Sequence, residues 1–252
     1  MARLDYKAVV IDLFDTLVNW NPEGLPLVEW RGREIRSTAP LLFPKLKEAL
    51  GERFDRDSFM DAHDSVSNDI FSQRMLAEAI EITCHERFER TLKKLELGDD
   101  EAKTLAAHLR RIHMGRVREV TSAPEARLDA MRKIAEHYRL GLISNFDDAE
   151  TGHLIVTDTG IRELFDAVII SADTGIRKPN PIIFNNILEM MKLTPRDILF
   201  VGDTPHDDVL GAKRAGMHAA WINRRGIALP EDVPAPDIII KDLADLPAAL
   251  GL

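Results

Sequence analysis

The sequence predicts an α/β fold: a doubly wound parallel sheet interrupted early by an inserted bundle of helices. Three observations carry this expectation. The run Val9-Val10-Ile11 is continuously apolar and stops at Asp12, as a parallel strand covered on both faces does. Residues 31–120 show amphipathic helical stretches and no convincing strand. From Pro124 onward, short apolar runs alternate with helical patterns, as strand–helix–strand crossovers require.

The elements follow in order. After the first strand the chain turns through Asp15 and Thr16, and Asn21-Pro22-Glu23-Gly24 is turn-rich. Helices are expected over 40–50, 56–70, 73–95 and 99–118. In the third, Met75, Ala79, Ile82, Phe88, Leu92 and Leu95 recur near helical spacing, with charges opposite. Gly98 before Asp99 and Asp100 reads as a helix stop followed by an N-cap. Later strands are expected at 140–144, 167–171, 198–201, 219–222 and 238–240. The helices between them are expected at 125–137, 148–159, 181–191 and 208–215. Residues 1–18 and 121–252 therefore make the core. Residues 19–120 make an inserted domain, which leaves and returns near the carboxyl end of the first strand and caps that edge.

With 252 residues, 45% of them hydrophobic and 30% charged, the chain can bury a sizeable core. Its net charge of −9 argues against nucleic acid or a membrane surface as partner. A small anionic molecule stays open, because local cations and a metal can outweigh the global field. Monomer and homodimer are both compatible with this composition. Cys84 is the only cysteine, so no internal disulfide can form, which fits a reducing compartment. The opening MARLDYKAVV lacks a cleavage pattern, and no run approaches the roughly 20 apolar residues that span a bilayer. A cytoplasmic location is expected.

Ligands of open α/β sheets bind beyond the carboxyl ends of the strands. Asp12 ends the first strand and Ser144-Asn145 the second. Arg177-Lys178-Pro179-Asn180-Pro181 leads into a helix beyond the third, and Gly202-Asp203 through Asp208 follows the fourth. A carboxylate, a hydroxyl, a cation and an acidic cluster suit the handling of phosphate and Mg²⁺. Magnesium takes oxygen ligands and binds through one or two carboxylates plus substrate phosphate. A carboxylate attacks phosphorus only when the negative charge on both partners is screened.

On these residues the chain resembles the haloacid dehalogenase-like hydrolase superfamily, in its helical-cap branch. The first motif, D-x-D-x-[TV]-L, is matched by Asp12-Leu13-Phe14-Asp15-Thr16-Leu17 with one departure. Ser144 matches the second motif, Lys178 the third, and Gly202 through Asp208 the fourth, G-D-x-x-x-x-D. The resemblance covers the whole chain and implies a Rossmann-like core with a helical cap. It also implies Asp12 as a nucleophile forming an aspartyl intermediate, and Mg²⁺ held by Asp12, Asp203, the Phe14 backbone carbonyl and Asp208 as ligand or anchor. Ser144 and Lys178 would bind the phosphoryl group, Thr16 would orient the site, and Asn145 is an added substrate contact.

The departure is Phe14, which stands where family phosphatases carry the aspartate that protonates the leaving alcohol. General acid help is typically worth about 10²–10⁴-fold. Asp15 reads as a turn former, and His206 as a loop residue facing solvent. Asp207 is open between a solvated loop position and a helix N-cap. Three functions stay open: a magnesium-dependent phosphohydrolase of a small phosphorylated metabolite, a haloacid dehalogenase and a binding protein without turnover. Halide leaves without protonation, which fits Phe14, whereas extra carboxylates at Asp203 and Asp208 favour the phosphohydrolase. In the inserted domain Trp20, Trp30, Phe71, Arg74, Met75 and His85 are possible substrate contacts, with the aromatics and Met75 expected mainly as core.

Overall fold

The computed structural model describes residues 6–75 and 79–252. Part of the opening segment (1–5) and part of the helix expected over 73–95 (76–78) lie outside the described residues. The chain divides into two compact units, Met1–Trp20 with Ser122–Leu252, and Asn21–Thr121.

The strands of the first half are β1 (Ala8–Ile11), β2 (Asn19–Trp20), β3 (Leu27–Trp30), β4 (Arg33–Arg36) and β5 (Thr121–Ser122). They are followed by β6 (Arg139–Ser144), β7 (Phe165–Ile170), β8 (Ile198–Gly202), β9 (His218–Ile222) and β10 (Ile238–Ile240). The helices begin with α1 (Ala39–Leu50), α2 (Arg56–Arg74), α3 (Cys84–Lys94), α4 (Asp99–Glu119) and α5 (Glu125–Ala135). They continue with α6 (Ala149–Asp158), α7 (Ser171–Thr174), α8 (Pro181–Met191), α9 (Gly211–Arg214) and α10 (Leu246–Ala249).

The first unit is built on a six-stranded sheet of order β10-β9-β8-β1-β6-β7. Every neighbouring pair in it is parallel. Alternate residues of β1 enter opposite cores: Val9 and Ile11 pack on one face, Ala8 and Val10 on the other. Leu199 and Val201 of β8 join the first face, Ile198 and Phe200 the second. This two-sided burial is why the strands read as continuous apolar runs. From β1 the chain order runs outward through β6 and β7 on one side and through β8, β9 and β10 on the other. The winding reverses between β1 and β8, and such a switch point opens a crevice at the carboxyl ends.

Helix starts in this unit carry legible caps. Asp148 accepts from the Thr151 backbone N–H at 3.0 Å and begins α6. Asn180 accepts from the Ile182 backbone N–H at 3.0 Å ahead of α8, with Pro181 at its first position. The expected helix over 208–215 is instead a π-helical turn, Pro205–Leu210, followed by α9.

The second unit holds α1 to α4, and several expectations about it are corrected. A β-hairpin of β3 and β4 lies where the helical region was expected to begin, with Trp30 opposite Arg33. Arg31 (φ 50°) and Gly32 (φ 69°) both take the left-handed conformation that a tight two-residue hairpin turn requires. The helix expected over 73–95 starts only at Cys84: α2 runs on to Arg74, and Thr83 caps α3 by accepting from the Glu86 backbone N–H at 3.2 Å. Thr83-Cys84-His85-Glu86 is a capping-box sequence, so the signal was present. Gly98 is the N-cap of α4 rather than a helix stop, and the left-handed residue after α3 is Glu96 (φ 63°).

Phe71 and Met75, expected in a core, are 65% and 71% exposed. The aromatic packing of this unit runs instead through Phe59, His63 and Phe88, stacked with centroids 5.8 and 5.3 Å apart. Trp30 Nε1 donates to Asp61 Oδ1 at 3.1 Å, Arg74 donates to Glu81 at 2.6 Å, and His85 lies 3.8 Å from Glu89. Cys84 is buried at the start of α3. No helix among the described residues is long and apolar enough to cross a membrane.

Candidate active site

Asp12 is the first residue beyond β1, and its backbone N–H donates to the Val201 carbonyl at 2.9 Å, extending the β1–β8 pairing to the crevice. Its carboxylate is buried, and Lys178 Nζ donates to Asp12 Oδ1 at 2.6 Å. The same ammonium donates to Asp208 Oδ1 at 2.6 Å. Lys178 and Asp208 are each 2% exposed, so this is a charge chain sealed from water. Asp203, one residue past β8, completes the group: one oxygen each from Asp12, Asp203 and Asp208 lie within 4.8 Å of one another.

Asp208 reaches this position because the π-helical turn folds back over β8. The Thr204 backbone N–H donates to Asp208 Oδ2 at 2.8 Å, and Gly202 leaves room for the carboxylate. A Cβ on residue 202 would stand 2.3 Å from Asp208 Cγ. Gly202→Ala is therefore expected to displace Asp208, to cost about 1–3 kcal/mol of stability, and to lower metal affinity. Urea unfolding and Mg²⁺ titration measure the two effects.

Asn145 is engaged with the segment that carries Lys178. Its Oδ1 accepts from the Lys178 backbone N–H at 2.7 Å, and its Nδ2 donates to the Lys178 carbonyl and to Asp207 Oδ2, both at 3.0 Å. Both amide protons are spent, so Asn145 clamps the segment that carries Lys178. Asp207 is accordingly neither a helix cap nor a freely solvated group. Its carboxyl is pushed up chiefly by burial, with Asp208 adding to the effect.

Two hydroxyls, Thr16 Oγ1 and Ser144 Oγ, are buried without a hydrogen-bond partner among the described residues. Orphaned hydroxyls are rare inside proteins, and both belong to residues at the carboxyl end of the sheet. Phe14 is half-buried, with its ring 4.9 Å from that of Phe146. The sequence reading missed Phe146; its place two residues after Ser144, on the strand end beside β1, was the available signal. Asp15 is a turn former, left-handed at φ 55°, and it accepts from the Trp20 backbone N–H at 3.5 Å. His206 is exposed and pairs with Asp232 at 3.0 Å.

The electrostatics favour a cation. Burial, reinforced by Asp208 and Asp203 and opposed by Lys178, pushes the Asp12 carboxyl up to about 7. Burial, with Asp208 and Asp15, pushes Asp203 up to about 6. Burial disfavours the Lys178 charge, but Asp12 and Asp208 outweigh it and hold the ammonium above its usual range. One ammonium thus faces three carboxylates, and hard oxygen donors in excess of positive charge are what Mg²⁺ binds. The donor set fits the ion.

The family model for haloacid dehalogenase-like hydrolases matches residues 6–216. Human N-acylneuraminate-9-phosphatase is 29% identical over 136 residues, and the match covers 54% of each chain, so the chain spans about half of that relative. Pyrimidine 5'-nucleotidase YjjG of Escherichia coli (strain K12) is 28% identical over 163 residues, covering 64% of this chain and 68% of the relative. Among solved structures, 2-haloacid dehalogenase from Pseudomonas syringae pv. Tomato DC3000 superposes over 98% of both chains with a TM-score of 0.71 at 24% identity. That likeness shows the shared fold.

Proposed function

Because the chain belongs to the haloacid dehalogenase-like hydrolase family, we propose that it is a magnesium-dependent phosphohydrolase of small anionic metabolites, with Asp12 as nucleophile. The observation that carries this reading is that oxygens of Asp12, Asp203 and Asp208 lie within 4.8 Å of one another, with the buried Lys178 bonded to Asp12 and Asp208. The curated relatives named above are a phosphatase and a nucleotidase, which supports the same class.

Lys178 holds Asp12 Oδ1 at 2.6 Å and leaves Oδ2 to attack phosphorus. The bond from phosphorus to the leaving oxygen breaks, its electron pair departs with that oxygen, and the phosphoryl group rests on Asp12. Water then attacks the aspartyl phosphate, freeing inorganic phosphate and restoring Asp12, so one water is consumed per turnover. Ser144 Oγ and Thr16 Oγ1 have hydrogen-bonding capacity to spend on phosphoryl oxygens or on the Asp12 carboxylate. A magnesium ion held by Asp12, Asp203 and the Phe14 backbone carbonyl, with Asp208 behind them, would supply the positive charge that lets two anions meet. Asp208 is better suited as an anchor than as a ligand, since Lys178 and Thr204 engage both of its oxygens. The inserted helical unit is read as the family's cap, which selects substrate.

Hydrolysis of p-nitrophenyl phosphate with Mg²⁺ and its loss in EDTA is the expected result, and equal rates in chelator would sink the reading. Phe14 offers no proton, so phosphates with weakly basic leaving groups should turn over fastest. The aromatic pair Phe14–Phe146 favours one second reading, displacement of halide from carbon by Asp12. Chloride release from 2-chloropropionate without metal would support it, and no release above background removes it. A binding protein without turnover remains only if both assays are silent and the folded chain still takes up Mg²⁺.

A further inference from the structure

A cavity of about 320 Å³ lies beside the nucleophile's cluster and is lined by Asp15, Asp203, Trp221, Arg224, Arg225 and Ile227 among others. Asp203 gives it one wall at the end of β8, and the loop after β9 gives it the other. That loop is preformed. Asn223 Oδ1 accepts from the Ile227 backbone N–H at 3.0 Å, and Nδ2 donates to the Ile227 carbonyl at 2.9 Å. Gly226 supplies the left-handed turn at φ 62°. The buried Trp221 joins loop and cluster, with Nε1 donating to the Asp203 carbonyl at 3.0 Å.

The two arginines on this wall differ. Arg224 Nε donates to Asp242 Oδ2 at 3.3 Å, so its charge is shared with a carboxylate that Arg127 also grips. Arg225 is exposed and makes no hydrogen bond or ion pair among the described residues. In a chain of net charge −9, a preformed loop thus holds an uncommitted guanidinium on the cavity that Asp203 opens into.

We propose that Arg225 is the specificity-determining contact of a second anion subsite, and that the substrate is a phosphomonoester bearing a carboxylate. This rests on the phosphohydrolase reading. The spacing agrees: β1 and β9 are separated only by β8, so a phosphoryl group at Asp12 lies two strand spacings, on the order of 10 Å, from the β9 loop. A three-carbon phosphate together with an extended arginine spans that distance. The planar fork of Arg matches a carboxylate with two parallel hydrogen bonds. A singly charged carboxylate also suits the site better than a second phosphate dianion, because among the described residues only one uncommitted cation lines it and Asp15 and Asp203 share the wall.

The test is calorimetric binding in Mg²⁺ buffer on the Asp12→Asn protein, in which turnover is blocked. The probes are 3-phosphoglycerate and glycerol 3-phosphate, which differ in the carboxylate. The carboxylate is expected to tighten binding about 10-fold or more. Adding Arg225→Ala should erase that preference, while Arg225→Lys should keep part of it, both with unchanged melting temperature. Equal affinities for the two probes, a preference untouched by Arg225→Ala, or no binding of either probe would overturn the proposal. Failure of the phosphohydrolase reading registers separately, as wild-type protein inert toward p-nitrophenyl phosphate with Mg²⁺.

Discussion

Asp12→Asn is expected to lower Mg²⁺-dependent hydrolysis of p-nitrophenyl phosphate by about 10³-fold or more, since in the proposed mechanism it removes the covalent nucleophile and with it the reaction path. Asparagine keeps the volume, and its carbonyl oxygen still accepts from Lys178, so the fold should persist. The same variant isolates a pH effect in the chelated protein. Burial, with Asp208 and Asp203, lifts the folded-state Asp12 carboxyl to about 7 from its ordinary value of 3.8. Across that window the folded chain retains a proton that the unfolded chain has released. Asp12 therefore contributes stability that is full below 3.8 and is lost as pH rises through about 7. Asn cannot titrate, so urea midpoints at about pH 4 and pH 8 should lie closer together in the variant than in the wild type. Asp203, pushed up to about 6, leaves a residual slope in both proteins. An unchanged slope would mean that Asp12 does not titrate in that range.

Lys178→Met carries the largest expected loss of stability. The ammonium is 2% exposed and donates at 2.6 Å to each of two buried carboxylates. Removing it leaves like charges side by side without water, and breaking a buried pair in this way typically costs about 3–5 kcal/mol. Protonation offers partial relief, so the cost should be larger at about pH 8 than at about pH 5, where Asp12 and Asp203 take up protons more readily. Pairing Lys178→Met with Asp208→Asn, which removes one carboxylate charge at nearly constant volume, should recover part of the loss. Urea unfolding of the single and double variants at both pH values decides it. A loss near zero at pH 8 would show that the carboxylates are stable without their cation.

Much of this was legible along the chain. Two-sided burial writes itself as apolar runs, so β1, β6, β8 and their neighbours could be read as strands. Asp12, Ser144 and Asp203 were then placed at or just beyond strand ends by sheet topology, and Lys178, eight residues past β7, was marked by the resemblance to the family's third motif. Asp208 was marked only by the resemblance to the family's fourth motif, Gly202 through Asp208. The hairpin of β3 and β4 was missed because its strands are short and solvated: Leu27 is 50% exposed, and the Arg-rich β4 has no residue in the core. The start of α3 was placed at 73 rather than at Cys84 because Met75, Ala79 and Ile82 fall near helical spacing, although Thr83 and Glu86 announced the new helix.

The sequence by itself determined a parallel sheet with a carboxylate at one strand end and a cation and further carboxylates near others, because pattern and spacing are local properties. Only the tertiary structure decided how those groups divide their work. Asn145 was free in sequence to face a ligand, and folding commits it to the backbone of Lys178. Phe14 looked like a missing acid and proves to be one half of an aromatic pair with Phe146. Arg224 and Arg225 are adjacent in sequence, yet one is tied to Asp242 and the other is left uncommitted. Partnership of this kind depends on which distant strands and loops are brought within about 3 Å, and no periodicity along the chain records that.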